Sequence, residues 1–317
     1  MGPVLNKIPF FKQKTVLVLG GGGARGIAHL GVIEYLVQNR ISFDAIIGTS
    51  AGALFGSLYA MYNSVEKALS KYREVMDEVD LPDFESSKSS NEPGIRNTVR
   101  NMYQSIKKSA WVIKGVIRQS LVDKGMFEEI LDVYFGDARL EDLTLKTYIV
   151  ATDLVTGKDI IFSRGMLAPV IQGSSSIAGI LPPVDYQGRV LIDGGTTAKL
   201  PVIYAVLLGF KRIIAVDVGS IFKENNNFSN AIDIFSRIEK LTSHRFHIDN
   251  ISLADILIKP QLEDLSWYDF KKTDIIYNRG FSAANMMGLE IKRFSRRIIP
   301  GKKYIPAEKV MGFCEII

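Results

Sequence analysis

Short apolar runs and amphipathic stretches alternate along the first part of the chain. Residues 15–19 (TVLVL) are almost wholly apolar, which is typical of a strand buried on both faces. A glycine-rich turn follows, and residues 24–38 then carry apolar side chains mostly on one helical face. A second apolar run ends at Ile47 and leads into another helical stretch, 50–62. This order of strand, helix, strand and helix predicts a mostly parallel α/β sheet with helices on both faces.

Sheet-forming runs return after the middle of the chain. Residues 147–152 and 159–163 are predicted to form a hairpin through a turn at 155–157. Further strands are predicted at residues 189–192, 212–216 and 255–258. The remainder is mostly helical in its pattern.

Residues 80–125 interrupt the α/β pattern. The stretch 81–94 is polar and serine-rich, which predicts an exposed loop, and residues 99–117 then space apolar side chains as a helix does. We therefore expect an α/β core over 14–220 with a helical insertion at 80–125. A mostly helical part, 221–317, is expected to pack on the core or to extend it.

Composition narrows the class of protein. The chain has 317 residues, 47% of them hydrophobic and 23% charged, which is ordinary for a globular protein with a large core. Its one cysteine, Cys314, excludes an internal disulfide and a cysteine metal cluster. The uncharged stretches 45–65 and 165–184 contain turn residues or prolines, and the amino terminus lacks a secretory pattern. We expect a cytoplasmic protein without a signal peptide or transmembrane helix, associated at most peripherally with a membrane.

The net charge of +5 favours anionic surfaces. The spacing of its basic residues matches no nucleic-acid recognition motif, so nucleic acid is not expected as a partner. Basic residues crowd the segment 96–118. Two interpretations of this segment stay open: a helix that docks on an anionic membrane, or a core helix with a solvated charged face.

A pentapeptide of the form GxSxG, GTSAG at 48–52, lies between a predicted strand and a predicted helix. This is the setting of a nucleophile elbow, in which Ser50 would be presented on a strained turn. Gly48 and Gly52 suit such a turn because bulky neighbours would prevent the chain from folding back. The sequence alone makes Ser50 the candidate nucleophile.

The glycine run at 20–26 has two interpretations. Its backbone N–H groups could receive the oxyanion of an acyl-transfer reaction. Gly21, Gly23 and Gly26 also satisfy the dinucleotide fingerprint GxGxxG, with Asp44 downstream as the ribose ligand. Arg25 counts against the dinucleotide, because a cation in the first helical turn opposes the helix dipole unless an acid compensates.

A serine nucleophile needs a base. Of the three histidines, His29 is expected to be packed, whereas His244 and His247 follow the candidate aspartates in the order of an α/β-hydrolase triad. The order of these residues along the chain therefore leaves a Ser-Asp-His triad as an alternative. The other candidate is Asp193, which ends a strand and precedes two glycines. Capping roles are expected for the remaining strand-end aspartates, Asp153 and Asp217.

Three motifs taken together resemble the patatin-like phospholipase family. They are GGGARG at 21–26, GTSAG at 48–52 and DGG at 193–195, and SSSIAGILPPV at 174–184 is also similar to the family. The resemblance implies a three-layer α/β/α fold and a Ser-Asp dyad that needs no histidine, metal or cofactor.

Carried onto this chain, the resemblance assigns each motif a role. Ser50 becomes the nucleophile and Asp193 the proton acceptor. The oxyanion donors become Gly21, Gly22 and Gly23, assisted by Arg25, and the motifs are completed by Gly26, Gly48, Gly52, Gly194 and Gly195. The implied activity is that of a lipid acyl hydrolase, of phospholipase A or esterase type. It would cleave fatty-acyl esters such as phospholipids through an acyl enzyme.

Overall fold

A computed structural model of the chain describes residues 13–78, 124–220, 222, 224, 228, 231–296 and 313–317. Within these residues, nine strands form one sheet. The strands are β1 (Thr15–Leu19), β2 (Ala45–Thr49), β3 (Lys146–Asp153), β4 (Asp159–Phe162), β5 (Val184–Tyr186), β6 (Arg189–Asp193), β7 (Arg212–Val216), β8 (Ile256–Ile258) and β9 (Cys314–Ile316).

Helices connect most of these strands. They are α1 (Ile27–Gln38), α2 (Ala51–Tyr62), α3 (Val65–Glu78), α4 (Lys124–Phe135), α5 (Leu167–Ser175), α6 (Gly195–Ala198), α7 (Val202–Leu207), α8 (Ala231–Ile251), α9 (Thr273–Met286) and α10 (Gly288–Arg296). Short 3-10 turns at Gly23–Gly26, Leu140–Asp142 and Phe270–Lys272 complete the described helical structure.

The sheet is mostly parallel, and its hydrogen-bonded neighbours follow the path β5-β6-β3-β2-β1-β7-β8, in which β6 and β2 pair with successive parts of the same side of β3. Strands β3, β2, β1, β7 and β8 run in one direction, so their carboxyl ends lie at one edge, here called the carboxyl edge. Strands β5 and β6 form an antiparallel hairpin beside β3, and β4 pairs with the other side of β3 and with β9. Ligands of open α/β sheets bind at such a carboxyl edge.

Alternate residues of β1 face two different hydrophobic cores. Leu17 and Leu19 pack with α1 and α2, whereas Val16 and Val18 pack with α7 on the other face of the sheet. Helices therefore cover both faces, and the predicted three-layer α/β/α fold with a mostly parallel sheet is confirmed. Burial of both faces explains why β1 is apolar along nearly its whole length.

Most predicted elements lie where the pattern places them. Strand β2 continues two residues past its predicted end, to Thr49, and the predicted first helix begins with a 3-10 turn. The short strands β5 and β9 were not predicted. The predictions for the loop 81–94, the helical stretch 99–117 and the basic segment 96–118 lie outside the described residues.

The carboxyl-terminal part is joined to the core through the sheet. Strand β8 pairs with β7 at one end of the sheet, and β9 pairs with β4, on the far side of β4 from β3. Both strands come from residues 221–317, so this part shares the sheet of the core. No helix in the described part of the chain combines the length and apolar content needed to cross a bilayer.

Candidate active site

Ser50 occupies a sharp turn between β2 and α2. Its backbone has φ 53° and ψ −120°, a conformation that L-residues avoid. Strained residues of this kind are held only where the surrounding structure fixes them, and they concentrate at functional sites. The turn presents Ser50 at the carboxyl edge, as a nucleophile elbow requires.

Close packing fixes the glycines around this turn. A Cβ atom on Gly48 would lie 2.5 Å from the carbonyl oxygen of Gly52, and a Cβ atom on Gly52 would lie 2.1 Å from the carbonyl oxygen of Leu19. A Cβ atom on Gly26 would likewise lie 2.4 Å from the Cβ atom of Ala51. The steric reason expected for the glycines of GxSxG is thus confirmed.

The sheet brings Asp193 to Ser50. Strand β2 pairs with β3 up to the partners Thr49 and Val150, and β6 then pairs with β3 from Ala151, opposite Asp193. Strands β2 and β6 therefore follow one another along the same side of β3, and their ends meet. The hydroxyl of Ser50 lies close enough to the Asp193 carboxylate to stabilise its charged form.

The chain turns immediately after Asp193. The Gly195 N–H donates to the Asp193 carboxylate at 2.5 Å, which fixes the orientation of that side chain. Gly194 permits the turn, because a Cβ atom there would lie 2.4 Å from the carbonyl oxygen of Val150. The two glycines of DGG thus serve different purposes, one steric and one as a hydrogen-bond donor.

Burial changes the acidity of Asp193. The side chain is nearly inaccessible to water, and this desolvation raises its pKa to about 6. The Gly195 N–H, the Ser50 hydroxyl and the charge of Lys199 act in the opposite direction but do not cancel the effect of burial. A carboxylate with a raised pKa is a stronger base than an exposed aspartate.

Ser174 supports the elbow and was not predicted as a site residue. Its hydroxyl, at the end of α5, accepts a hydrogen bond from the Ser50 N–H at 2.9 Å and donates one to the Val150 carbonyl at 2.6 Å. The residue is completely buried. Ser174 thereby links the nucleophile turn to β3, the strand with which β6 and its Asp193 pair.

The glycine loop lies beside Ser50. The N–H of Gly21 donates to the Lys199 carbonyl at 2.9 Å, so this group is already engaged. Among the described residues, no backbone acceptor is present for the N–H groups of Gly22 and Gly23. Gly23 lines the same cavity as Ser50, with φ +59°. Of the three predicted oxyanion donors, Gly21 thus already donates to a backbone carbonyl, whereas Gly22 and Gly23 stay predictions.

Arg25 is buried beside this loop. Its Nε donates a long hydrogen bond of 3.4 Å to the Gly22 carbonyl. Burial lowers the pKa of its guanidinium, and the nearby Asp217 carboxylate opposes that shift. Because a peptide plane directs its C=O and N–H groups in opposite directions, a fixed Gly22 carbonyl also orients the N–H of Gly23. Arg25 thus contacts the loop backbone.

An apolar cavity of about 160 Å³ opens beside Ser50. Its walls come from α2, α3, α4 and the segments that follow α5 and precede α9. The larger wall residues include Phe55, Tyr72, Phe127, Leu131, Leu181 and Trp267. Such a wall suits a hydrocarbon chain, because it offers dispersion contacts and few hydrogen-bonding groups.

The histidines have other partners. His247 bonds to the Asp217 carboxylate at 2.9 Å, and His29 bonds to the Gly20 carbonyl at 2.8 Å. His244 stacks on Phe222. Within the described residues, the Ser50 hydroxyl has Asp193 as its titratable partner. The geometry favours the aspartate as base over the Ser-Asp-His triad.

Asp44 is misplaced for a dinucleotide. Its carboxylate accepts a hydrogen bond from the Thr15 N–H at 2.7 Å, at the beginning of β1. The ribose ligand of a Rossmann fold would instead be needed at the carboxyl edge, next to the glycine loop. The dinucleotide interpretation of the glycine run is therefore not supported by the position of Asp44.

Buried acids at the other strand ends stabilise local structure. Asp153 accepts hydrogen bonds from the Val155 N–H and the Thr156 hydroxyl within the β3–β4 turn. Asp217 accepts from the Gly219 N–H at 3.0 Å and is contacted by Lys259. Burial alone would raise the pKa of Asp217, but His247, Gly219 and Lys259 together hold it below its usual value. These contacts agree with the capping roles expected from the sequence.

Comparison with known proteins adds a family. Two curated relatives are both named Lysophospholipase NTE1: one from Kluyveromyces lactis, 27% identical over 85% of this chain, and one from Saccharomyces cerevisiae, 28% identical over 84%. The chain spans only 19% and 16% of the lengths of these relatives. Among solved structures, VipD from Legionella pneumophila aligns over 90% of this chain and 67% of its own, at 13% identity and a TM-score of 0.45.

A family model described as patatin-like phospholipase matches residues 17–206. This range includes the glycine loop, the GxSxG turn and the DGG turn, and it covers more than half of the chain. The chain belongs to the patatin-like phospholipase family.

Proposed function

We propose that the protein is a lipid acyl hydrolase that uses Ser50 and Asp193 as a catalytic dyad. The observation that carries this proposal is that the Ser50 hydroxyl lies beside the buried Asp193 carboxylate and stabilises its charged form, next to an apolar cavity. Family membership supports the reaction class. The geometry supports the assignment of individual residues.

The proposed reaction proceeds through an acyl enzyme. Ser50 Oγ attacks the carbonyl carbon of an ester while its proton passes to Asp193. The tetrahedral intermediate then collapses, the alcohol leaves with that proton, and the acyl group remains on Ser50. Water, deprotonated by the same aspartate, attacks the acyl enzyme and releases the fatty acid.

The charge that develops on the carbonyl oxygen needs donors. We assign this role to the N–H groups of Gly22 and Gly23, which are not engaged by backbone acceptors among the described residues. Gly23 lines the same cavity as Ser50, and the preceding Gly21 lies against the Ser50 side chain. Loss of one such donor typically costs about 2.7 to 4 kcal/mol of transition-state stabilisation. Arg25 is proposed to assist by orienting the Gly22–Gly23 peptide.

The raised pKa of Asp193 makes the dyad chemically reasonable. An aspartate with an ordinary pKa of about 3.9 is a weak acceptor for an alcohol proton. Burial raises the pKa of Asp193 to about 6, which brings it closer to the range of effective general bases. The same dry surroundings strengthen the hydrogen bonds to the oxyanion.

The proposed substrates are fatty-acyl esters of phospholipids or lysophospholipids. The apolar cavity beside Ser50 has room for hydrocarbon, and the curated relatives are named lysophospholipases. A membrane contact through 96–118, a cytoplasmic location and the absence of a nucleic-acid partner stay predictions. Residues 96–118 lie outside the described part of the chain.

A lipid panel tests the proposed activity. Fatty-acid release from diacyl and lysophospholipids would be measured for the wild type, Ser50→Ala and Ser57→Ala. Ser57 is a matched control, because it lies in α2, the helix that Ser50 precedes, and its buried hydroxyl has no hydrogen-bond partner in the described structure. We expect Ser50→Ala to lose about four orders of magnitude in kcat and Ser57→Ala to stay active. Full activity in folded Ser50→Ala would refute the proposal.

A further inference from the structure

Asp159, the first residue of β4, is a buried acid with no part in the proposed reaction. Its carboxylate oxygen Oδ1 accepts hydrogen bonds from the hydroxyls of Thr152, at 2.8 Å, and Thr197, and Oδ2 accepts one from the hydroxyl of Tyr204. Burial raises the pKa of this carboxyl, and the three hydroxyls oppose the shift by stabilising the charged form. A buried carboxylate with several donors fixes the side chains that donate to it.

The three donors belong to three different elements. Thr152 lies in β3, Tyr204 in α7 and Thr197 in α6, the helix that follows the DGG turn. Helix α6 has four residues, about one turn, so its own hydrogen bonds cannot keep it in place and contacts with the rest of the protein must do so. The Thr197 hydroxyl supplies such a contact, because it joins α6 to the start of β4.

Both sides of the proposed dyad are held at α6. At the beginning of the helix, the Gly195 N–H donates to the Asp193 carboxylate at 2.5 Å. At its end, the Ala198 carbonyl accepts a hydrogen bond from the Thr49 hydroxyl at 3.2 Å, and Thr49 directly precedes Ser50. The position of α6 therefore affects both the orientation of the carboxylate and the position of the nucleophile turn.

The glycine loop is held at the same place. The carbonyl of Lys199, the residue after α6, accepts a hydrogen bond from the Gly21 N–H at 2.9 Å. A Cβ atom on Gly21 would lie 3.3 Å from the Cβ atom of Ser50, so this contact sets how closely the loop approaches the nucleophile. The proposed oxyanion donors are the next two residues of the chain. All three motifs thus contact residues 195–199.

We propose that Asp159 is a positioning residue for the dyad and that it acts through Thr197. The carboxylate anchors the Thr197 hydroxyl, and Thr197 anchors the helix on which the three motifs converge. When this anchor is lost, α6 can shift, and the Asp193 carboxylate, the nucleophile turn and the glycine loop shift with it. A misplacement of about 1 Å can slow a reaction by about a hundredfold. The inference rests on the proposed function, because it concerns the geometry of that reaction.

Thr152 offers a matched comparison for Thr197. Both hydroxyls donate to the same carboxylate oxygen, so valine at either position removes one hydrogen bond to Asp159. Thr152, however, lies within β3, which is held in place by its pairing with β2, β4 and β6. Thr197→Val therefore releases α6 from the acid, whereas Thr152→Val keeps that connection. Because Thr197 is exposed, its replacement disturbs little packing, and Thr197→Val is expected to fold.

Hydrolysis of a soluble short-chain ester tests the proposal. We expect kcat of Thr197→Val to fall by about 10- to 100-fold with KM nearly unchanged, and kcat of Thr152→Val to stay within about threefold of wild type. Thr197→Ser retains the hydroxyl and should keep kcat within about threefold of wild type. Equal kcat values for the two valine variants, or a serine variant as slow as Thr197→Val, overturn the proposal.

A double variant tests whether Asp159 acts through Thr197. Asp159→Asn keeps the shape of the side chain but replaces one acceptor oxygen by an amide group that donates, so it weakens the same anchor. We expect Asp159→Asn to lower kcat by about 10- to 100-fold, and the combination with Thr197→Val to be no slower than the slower single variant. Additive losses would show that the acid acts independently of Thr197 and would overturn the proposal.

Amide hydrogen exchange reports on the contacts of α6 without relying on activity. Mass spectrometry would follow peptides that cover residues 17–26 and 193–199. We expect Thr197→Val to speed exchange of the Gly21 and Gly195 N–H groups by about fivefold or more, because their hydrogen bonds open more often. Thr152→Val should leave both rates unchanged. Unchanged exchange in Thr197→Val overturns the proposal.

These measurements separate the inference from the proposed function. If the wild type cleaves no ester but Thr197→Val speeds exchange at both glycines, the proposed function fails and the anchoring of α6 by Asp159 stands. If the wild type cleaves the ester and neither kcat nor exchange changes in Thr197→Val, the positioning role fails alone. Faster exchange with an unchanged kcat also overturns the positioning role, because α6 would then move without affecting the reaction.

Discussion

The Ser50 hydroxyl lies beside the Asp193 carboxylate and stabilises its charged form, although β2, which leads into Ser50, does not pair with β6, which ends at Asp193. They meet because β2 and β6 use successive parts of β3. The contact is buried, and burial sets the basicity of the carboxylate.

Activity should depend on the ionisation of Asp193. Its pKa is raised to about 6, and only the deprotonated carboxylate can accept the Ser50 proton. We therefore expect kcat/KM for a soluble ester to rise tenfold per pH unit below about pH 6 and to level off above it. A pH–rate profile of the wild type and Ser57→Ala checks this. A profile that stays flat down to pH 4.5 in folded protein would contradict the assignment.

Asp193→Asn should stabilise the protein increasingly as the pH rises. Because the folded-state pKa lies above the unfolded value of about 3.8, the folded chain loses relative stability as the pH rises between these values. An asparagine does not titrate. We expect the free energy of unfolding of Asp193→Asn, relative to wild type, to increase by about 2 to 3 kcal/mol from pH 4 to pH 7. Urea unfolding at both pH values measures this free-energy difference. A difference that does not change with pH would show that burial does not destabilise the charged carboxylate.

Ser174→Ala should slow the reaction by misplacing the nucleophile turn. The variant leaves the Ser50 N–H without its acceptor, although Ser174 does not line the cavity beside Ser50. We expect kcat to fall by about 10- to 100-fold, with KM nearly unchanged.

Ser176→Ala is the matched control for this variant. Its buried hydroxyl donates to the Gln172 carbonyl at 2.9 Å, at the end of the same helix. The Ser176 carbonyl accepts a hydrogen bond from the Asp193 N–H, and the substitution retains that backbone contact. Ser176→Ala should lose about 1 kcal/mol of stability, because it removes one hydrogen bond, and Ser174→Ala should lose more, because it removes two. Equal kcat values for the two variants would show that Ser174 does not position the nucleophile turn for catalysis.

His247→Gln should reduce stability and spare catalysis. The histidine pairs with the buried Asp217 rather than with Ser50, so its loss leaves that carboxylate with fewer partners. We expect the free energy of unfolding at pH 7 to fall by about 1 to 3 kcal/mol and kcat to stay within about threefold of wild type. His244→Gln should leave kcat equally unchanged. A loss of kcat of several orders of magnitude in folded His247→Gln would restore the Ser-Asp-His triad.

The candidate site could be predicted where local chemistry fixes the residues. The GxSxG motif can be recognised in the sequence because the packing around Gly48 and Gly52 leaves no room for a side chain. Strand β1 can be recognised because burial of both its faces requires an apolar run. For the base, residue patterns alone could only rank Asp193 above Asp153 and Asp217. All three end strands, and the sequence does not show which strand end meets β2.

The remaining features depend on contacts between distant parts of the chain. The bond between Ser50 and Ser174 joins residues 124 positions apart, and in the sequence Ser174 is only the first of three serines. The engagement of the Gly21 N–H by Lys199 is likewise invisible before folding. The short strands β5 and β9 have three residues each, too few for a pattern. The raised pKa of Asp193 also follows from burial, which is a property of the folded chain.

Covalent labelling tests the central claim most directly. The wild type and Asp193→Asn would be treated with a fluorophosphonate, and the modified peptide would be identified by mass spectrometry over a range of pH. We predict a single adduct on Ser50, formed at a rate that rises through about pH 6 and that falls by at least about a hundredfold in Asp193→Asn. An adduct on another residue, or undiminished labelling of Ser50 in folded Asp193→Asn, would contradict the account.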